Sequence, residues 1–159
     1  MSIKFENAVL MVESMERTKA FYCDVLDQKV RLDFGGALIF ESGLSLWEIT
    51  SDHIIPEKIG KEAISGKKHA SFELNFETDD IRDCLDLLKN HKVDFLHEIN
   101  EEPWGQQTIR FFDPDGHLIE IGESLETFVI RFLKEGMSEE EVAKRTSVPL
   151  EKVRDIVGR

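Results

Sequence analysis

The chain has 159 residues, of which 41% are hydrophobic and 33% charged, and this length is typical of about one domain. Its 20 Lys and Arg against 32 Asp and Glu give a formal net charge of −12, which repels nucleic acid unless basic residues are segregated on one face. No apolar run approaches the ~18 residues of a membrane span, and the N-terminal residues lack the pattern of a secretory signal. We therefore expect a cytoplasmic protein that does not insert into membranes, with Cys23 and Cys84 reduced.

The first fifty residues predict one strand, a helix and three more strands. The strand spans 7–12, and Ser14 is placed to cap the helix that follows. Three β-like runs come next, at about 28–33, 37–41 and 44–50, separated by glycine-containing turns. The apolar positions assigned to the helix are Ala20, Phe21, Val25 and Leu26.

The same order returns after a polar linker at 51–68. A strand at 70–76 precedes a helix at 80–91 that Asp79 or Asp80 caps. Further strands are predicted at 93–99, 106–112 and 117–122, and the last two are joined by the tight turn 113–116. Two βαβββ modules, at 4–50 and 69–123, therefore form an α+β domain over residues 1–123.

Residues 124–159 differ from the modules because they are electrically neutral and helical throughout. Helices are predicted at 125–135, after a Ser138–Glu141 capping box, and again from Ser147 with Pro149 just inside. The last two helices resemble a helix-turn-helix, with Lys152, Arg154 and Arg159 near phosphates if DNA were bound. Three cations would neutralise few phosphates and so contribute little affinity for DNA. We therefore expect a helical appendage that packs on the modules or on a partner chain.

Two carboxylates occupy the sheet face that points away from the predicted helices. In the strand at 70–76, Glu73 alternates with Phe72 and Leu74, and in the strand at 117–122, Glu120 alternates with Ile119 and Ile121. Buried carboxylates must be paired, solvated or bound to a metal. A plain solvated sheet face explains the same alternation.

The repeated modules resemble the vicinal oxygen chelate superfamily, which includes glyoxalase I, bleomycin-resistance proteins and extradiol dioxygenases. The resemblance covers residues 4–123. The motifs that carry it are Val12-x-Ser14, Phe21-Tyr22-x-Asp24-Val25-Leu26, Phe76-Glu77-Thr78-Asp79-Asp80-Ile81 and, most specifically, Phe112-Asp113-Pro114-Asp115-Gly116-His117-Leu118-Ile119-Glu120-Ile121.

The resemblance implies that the modules form a cupped half-barrel that holds a divalent metal when one is present. Carried over by position, the metal ligands are Asn7, Glu48, Glu73 and Glu120, although a one-residue shift would put Trp47 in the cup instead of Glu48. Such an all-oxygen set suits hard ions better than Zn²⁺. The resemblance leaves the cofactor open: one divalent ion (Mg²⁺, Mn²⁺, Ni²⁺ or Zn²⁺) or none.

The implied activity is that of a lyase or isomerase that moves a proton next to a carbonyl, with Glu73 or Glu120 as the proton-transfer group. Trp104 is a candidate for stacking on a planar ligand and Arg110 for binding an anionic group, while a packed loop tryptophan and a cross-strand salt bridge are the structural alternatives. A metal-free binding protein that sequesters a cationic drug or metabolite is the alternative function, and a ligand-sensing DNA regulator is the third. The expected partners are a small-molecule ligand and a second copy in a homodimer, without nucleic acid.

Overall fold

A computed structural model describes residues 3–50, 53–60 and 68–158 of the chain. Arg159 and half of the predicted linker, residues 51–52 and 61–67, therefore lie outside the described residues. The chain divides into two compact units, Met1–Ser71 with Phe112–His117 and Phe72–Phe111 with Leu118–Arg159. Two four-stranded sheets, each built in βαβββ order, confirm the α+β class and the two-module repeat.

The first unit carries a mixed sheet with strand order β1-β4-β3-β2. Its edge strand β1 pairs parallel with β4 in the register Val12↔Glu48, while the β2–β3 and β3–β4 pairs are antiparallel. A short helix within the predicted linker, α2, begins after His53. The elements are β1 (Val9–Val12), α1 (Met15–Asp24), β2 (Val30–Asp33), β3 (Ala37–Phe40), β4 (Ser45–Glu48) and α2 (Ile54–Ile59).

Helix α1 buries part of its predicted apolar face, with Val25 buried and Phe21 half-buried, together with two residues that carry hydroxyl groups. Ser14 caps it as expected, because its side chain accepts a hydrogen bond from the Arg17 amide. Ala20, however, is exposed, whereas Thr18 and Tyr22 are fully buried. Both buried residues carry hydroxyl groups, and burial of a hydroxyl requires a hydrogen-bond partner.

The partners are the two aspartates of the turn that the first unit takes from residues 112–117. Asp113 Oδ2 accepts from the Tyr22 hydroxyl at 3.0 Å and lies 2.8 Å from His117 Nδ1. Asp115 accepts from the Thr18 hydroxyl and, at 2.8 Å, from the Glu13 amide. These buried hydrogen bonds fix the turn against α1.

The second sheet has the strand order β5-β8-β7-β6. Helix α3 follows β5, and the Asp80 side chain caps it by accepting from the amides of Arg82 and Asp83. Ile109, Phe111 and Ile119 are fully buried. The elements are β5 (His69–Thr78), α3 (Ile81–Asn90), β6 (Asp94–Glu101), β7 (Gln107–Phe112) and β8 (His117–Glu123).

Three further helices belong to the second unit and bury their own apolar cluster. They are α4 (Leu125–Lys134), α5 (Glu139–Thr146) and α6 (Leu150–Val157). The Ser138–Glu141 capping box is present, but Ser147 is not the start of the last helix. Its backbone is left-handed and ends α5, and Pro149 precedes α6 without a side-chain cap. The buried cluster contains Phe128, Val129, Phe132, Val142, Val153 and Ile156.

The helical tail packs against the loop that connects β6 and β7. Arg131 Nη2 donates to the Gly105 carbonyl at 2.6 Å and pairs with the buried Glu123 at 2.9 Å. Arg145 pairs with Glu101 at the end of β6 at 3.0 Å. On α6, Arg154 is held by carboxylates of α5, which reduces the charge that it can offer to a phosphate. Within the described residues, no helix is long and apolar enough to cross a membrane.

Candidate functional site

Arg110 lies at the centre of a group of carboxylates in the second unit. It lies on β7, the strand that pairs with β8 on one side and with β6 on the other. Its Nε donates to Glu73 Oε2 at 3.0 Å, its Nη1 donates to Glu102 Oε1 at 2.6 Å, and its Nη2 forms an ion pair with Glu120 Oε2. We call Arg110, Glu73, Glu102, Glu120 and the adjoining His97 the Arg110 cluster.

The orientation of His97 follows from its two hydrogen bonds. Its Nδ1 lies 2.6 Å from the Glu98 carbonyl oxygen, which only accepts, so Nδ1 carries the proton. Its Nε2 then accepts from Arg110 Nη1 at 3.3 Å. Glu102 is fixed in turn by the Thr108 hydroxyl, which donates to it at 3.1 Å.

The cluster is largely shielded from solvent. The exposed side-chain fractions are 20% for Arg110, 30% for Glu73 and 13% each for Glu102 and Glu120. The three carboxylates and the one guanidinium together carry a formal charge of −2. An excess of buried negative charge favours either a bound cation or uptake of a proton.

The carboxylates of the cluster differ in proton affinity. Burial raises the pKa of Glu120, and the neighbouring charges of Glu73 and Glu102 raise it further, while Arg110 opposes the shift. The hydrogen bond from Arg110 lowers the pKa of Glu102. Glu120 Oε2 is buried, and no donor among the described residues makes a hydrogen bond of ordinary geometry to it. Glu120 is therefore the member of the cluster best suited to take up a proton.

The two candidate ligands from the first module lie in the first unit. Asn7 is half-buried just before β1. Glu48 Oε1 accepts from the Met15 amide at 3.0 Å at the start of α1 and lines a surface groove of about 690 Å³ beside that helix. Its neighbour Trp47 is 41% exposed and contacts the His53 ring edge-on at 4.7 Å.

Comparison with known families identifies the modules. Residues 5–126 match the model of the glyoxalase-like domain. The chain belongs to the glyoxalase-like family of the vicinal oxygen chelate superfamily. No curated protein matches the chain.

Solved structures share this fold. A protein of unknown function from Agrobacterium tumefaciens str. C58 is 35% identical, with a TM-score of 0.65 over 79% of this chain and 97% of its own. Lactoylglutathione lyase from Agrobacterium tumefaciens is 20% identical, with a TM-score of 0.55 over 76% and 93%. The genomically encoded fosfomycin resistance protein from Listeria monocytogenes is 16% identical, with a TM-score of 0.57 over 80% and 98%. The last two likenesses bear on the fold alone.

Members of the superfamily often use a divalent metal, so the residues of this glyoxalase-like domain must be tested for that role. Two of the four candidate ligands, Glu73 and Glu120, are already paired with a guanidinium, and a third, Glu48, is hydrogen-bonded to a backbone amide. Within the parts of the chain that the structure describes, no group of three or more His, Cys, Asp or Glu side chains is arranged to hold a metal ion. These contacts do not fit a divalent metal, because the oxygens that would bind it are already engaged by Arg110 or by the Met15 amide.

The structure of the glyoxalase-like domain adds two residues that the sequence did not single out, His97 and Glu102. Glu102 lies among the acidic residues 98, 101 and 102, and only the fold shows which of them turns towards Arg110. Arg110 adopts the cross-strand salt bridge that the sequence left as an alternative. Trp104 is 43% exposed, and its indole N–H donates to Gln106 at 3.1 Å, so stacking on a ligand stays a prediction.

Proposed function

We propose that the chain is a glyoxalase-like lyase or isomerase that transfers a proton next to a carbonyl, with Glu120 as the base. The observation that carries the proposal is the environment of Glu120: a mostly buried carboxylate with a raised pKa, whose described partner is the Arg110 guanidinium. A general base is most effective when its pKa approaches the working pH. A raised pKa brings a glutamate closer to that condition.

The proton transfer conserves charge within the cluster. Glu120 removes a proton from the carbon beside the substrate carbonyl, and the electron pair of the broken C–H bond moves to the carbonyl oxygen. Negative charge thus leaves Glu120 and appears on the substrate. Arg110, which contacts Glu120, then stabilises the new oxyanion electrostatically. In an α-hydroxy ketone, return of the proton to the former carbonyl carbon, with transfer of the hydroxyl proton to the other oxygen, completes an isomerisation. In a substrate with a leaving group on the β-carbon, the oxyanion re-forms the carbonyl and expels that group, which completes a lyase reaction.

Glu73 has a supporting role in this scheme. Its carboxylate accepts from Arg110 Nε and so orients the guanidinium towards Glu120. Its negative charge also contributes to the raised pKa of Glu120. Removing Glu73 is therefore expected to weaken the base as well as to loosen the arginine.

The test is exchange of a carbon-bound proton in deuterated water, followed by NMR. The substrates are α-hydroxy ketones and the hemithioacetal of glutathione with methylglyoxal, a choice suggested by the lyase among the structural neighbours. Glu120→Gln is expected to lower the exchange rate by about 10²–10⁴-fold, the usual contribution of a general base. Glu77→Gln is the matched control, because Glu77 lies exposed on β5 and should leave the rate unchanged.

The pH profile provides a second readout. Glu120 acts as a base only when ionised, so activity should rise with pH through its pKa and be lost below it. Because that pKa is raised, the acid limb should lie above the ordinary range of glutamate, about 4.3. Exchange that Glu120→Gln leaves unchanged would contradict the proposal, as would the absence of exchange with every substrate.

The excess negative charge of the cluster favours one alternative, a metal-free protein of the bleomycin-resistance type that sequesters a cationic drug or metabolite. Electrostatic complementarity would then select a cation. Titration calorimetry with bleomycin tests it. Binding that weakens in Glu120→Gln, without proton exchange on any substrate, would support this alternative over the enzyme.

The remaining expectations concern the surroundings of the protein. We propose a cytoplasmic homodimer that binds a small molecule and no nucleic acid. Light scattering after size-exclusion chromatography should give twice the mass of the 159-residue chain. Retention of a random DNA duplex at low salt would contradict the last point.

A further inference from the structure

The positive charge at the Arg110 cluster comes from the chain itself. The guanidinium makes contacts through Nε, Nη1 and Nη2, each with a different glutamate. By resemblance, two of these glutamates, Glu73 and Glu120, stand at ligand positions of the superfamily. The carboxylates expected to meet a metal ion therefore meet an arginine.

The arginine is held too firmly to leave the position easily. Displacement would break three ion pairs and the contact with His97 Nε2. Arg110 is also only 20% exposed, and Thr108, two residues away on β7, fixes the position of Glu102. The guanidinium is thus positioned by groups on four strands or their ends.

A divalent ion and this guanidinium cannot share the same carboxylates. Metal–oxygen bonds of roughly 2.0–2.6 Å would place two positive charges close to a third in a poorly solvated site. Their mutual repulsion is strong at such distances when water is largely excluded. Arginine also stays protonated at every physiological pH, so it does not become neutral to admit the metal.

We propose that Arg110 takes the place of the metal ion, and that it keeps the second unit free of divalent cations. This deepens the proposed function by naming the cation that serves the site. The converse also follows: a variant without the guanidinium leaves Glu73, Glu102 and Glu120 uncompensated. With Arg110 present, these three carboxylates are not arranged to hold an ion, so binding requires them to close on the space that the guanidinium leaves. Three oxygen ligands of formal charge −3 would then suit Mn²⁺ or Ca²⁺.

The experiment measures Mn²⁺ binding to the full chain by electron paramagnetic resonance of the free ion and by calorimetry. The unmodified chain should show no site that depends on Glu120. Arg110→Ala and Arg110→Gln should each gain one site at least about tenfold tighter than any in the unmodified chain, and adding Glu120→Gln should remove it. Arg82→Ala is the matched control, since it removes the same charge from an exposed position on α3 and should gain nothing. Arg110→Lys, which keeps the charge, should also gain nothing.

The outcomes separate this proposal from the proposed function. Stoichiometric Mn²⁺ binding by the unmodified chain that Glu120→Gln abolishes would overturn the inference, and this measurement needs no variant of Arg110 to fold. A folded Arg110→Gln, checked by circular dichroism, that binds no more tightly than Arg82→Ala would overturn it as well. Failure of proton exchange in a chain that excludes Mn²⁺ would instead refute the enzyme and leave the role of Arg110 intact.

Discussion

The helical tail packs against Gly105 in the loop before β7, and replacing this glycine with alanine should reveal how much that packing stabilises the second unit. Its φ is +98°, a region that residues with a Cβ rarely adopt. A Cβ built there would lie 2.6 Å from Phe132 Cε2 and still closer to Cζ. Gly105→Ala therefore introduces both backbone strain and a steric overlap.

The two costs are separable because the chain contains a matched position. Gly136 has a φ of +99°, but a Cβ there would meet nothing within 4 Å. Gly136→Ala should therefore lower the free energy of unfolding only through backbone strain, by about 1–2 kcal/mol. Gly105→Ala should add the price of overpacking against Phe132, about 1–3 kcal/mol, and so should destabilise the protein by roughly 2–5 kcal/mol in total.

The assay is urea unfolding followed by tryptophan fluorescence, since Trp104 lies in the same loop. For a chain of this size, each kcal/mol lost from the free energy of unfolding should also lower the melting temperature by roughly 2–4 °C. Phe132→Leu, which shortens the ring, should reduce the extra cost of Gly105→Ala in a double-mutant cycle. Equal losses from Gly105→Ala and Gly136→Ala would refute the reasoning, because they would leave no energy to assign to Phe132.

Two further predictions concern buried groups of the remaining structure. Tyr22→Phe removes the hydroxyl that donates to Asp113 at 3.0 Å in a fully buried site, and it should lower the free energy of unfolding in urea by about 1–3 kcal/mol. Lys29→Ala removes an exposed ion pair with Asp27 and should change that free energy by less than about 0.5 kcal/mol. Equal effects of the two substitutions would contradict the role of the buried hydrogen bond. Partial burial, with a smaller effect of Asp80, raises the pKa of the half-buried Cys84 thiol to about 11, so at pH 8 only roughly one thiol in a thousand is ionised. Iodoacetamide should therefore label Cys84 far more slowly in the native protein than in urea, and similar rates would argue against the raised pKa.

The elements were predictable wherever their signals are local. Ser14, Asp80 and the Ser138–Glu141 box each cap a helix from within three residues of the amides that they bind, so neighbouring residues suffice to place the helix starts. Ser147 shows the limit of this reasoning. A serine before a proline predicts a cap, but the left-handed backbone at Ser147 ends the preceding helix instead.

The burial of Thr18 and Tyr22 on α1 was not predictable from the residues of the helix itself. Tyr22 is fully buried because its hydroxyl finds Asp113, 91 residues away along the chain. Hydrophobic periodicity predicts that apolar residues are buried, so it does not select the hydroxyl-bearing Thr18 and Tyr22. It does select Ala20, which is exposed. Only the fold brings donor and acceptor together, so the sequence finds the buried Val25 but misses Thr18 and Tyr22.

The candidate site was predictable in part for the same reason. Alternation along β5 and β8 identified the sheet-face carboxylates, Glu73 and Glu120, and Arg110 was singled out as well. Their mutual pairing depends on the strand order β5-β8-β7-β6, which the sequence does not specify. The sequence therefore offered ligands for a metal and a separate anion-binding arginine, while the fold joins them in one cluster.

The number of donors around a buried carboxylate separates those that hold the fold from those that can do chemistry. Asp113 accepts from two backbone amides through Oδ1 and contacts Tyr22 and His117 through Oδ2, so each of its oxygens has two partners. Glu120 Oε2 has only the ion pair with Arg110 and no hydrogen bond of ordinary geometry from a described residue. A buried oxygen with unused acceptor capacity is costly to the fold, and the cost is relieved when a proton arrives. For that reason we interpret the acidic turn 112–117, the strongest motif in the sequence, as structural, and propose Glu120 for the chemistry.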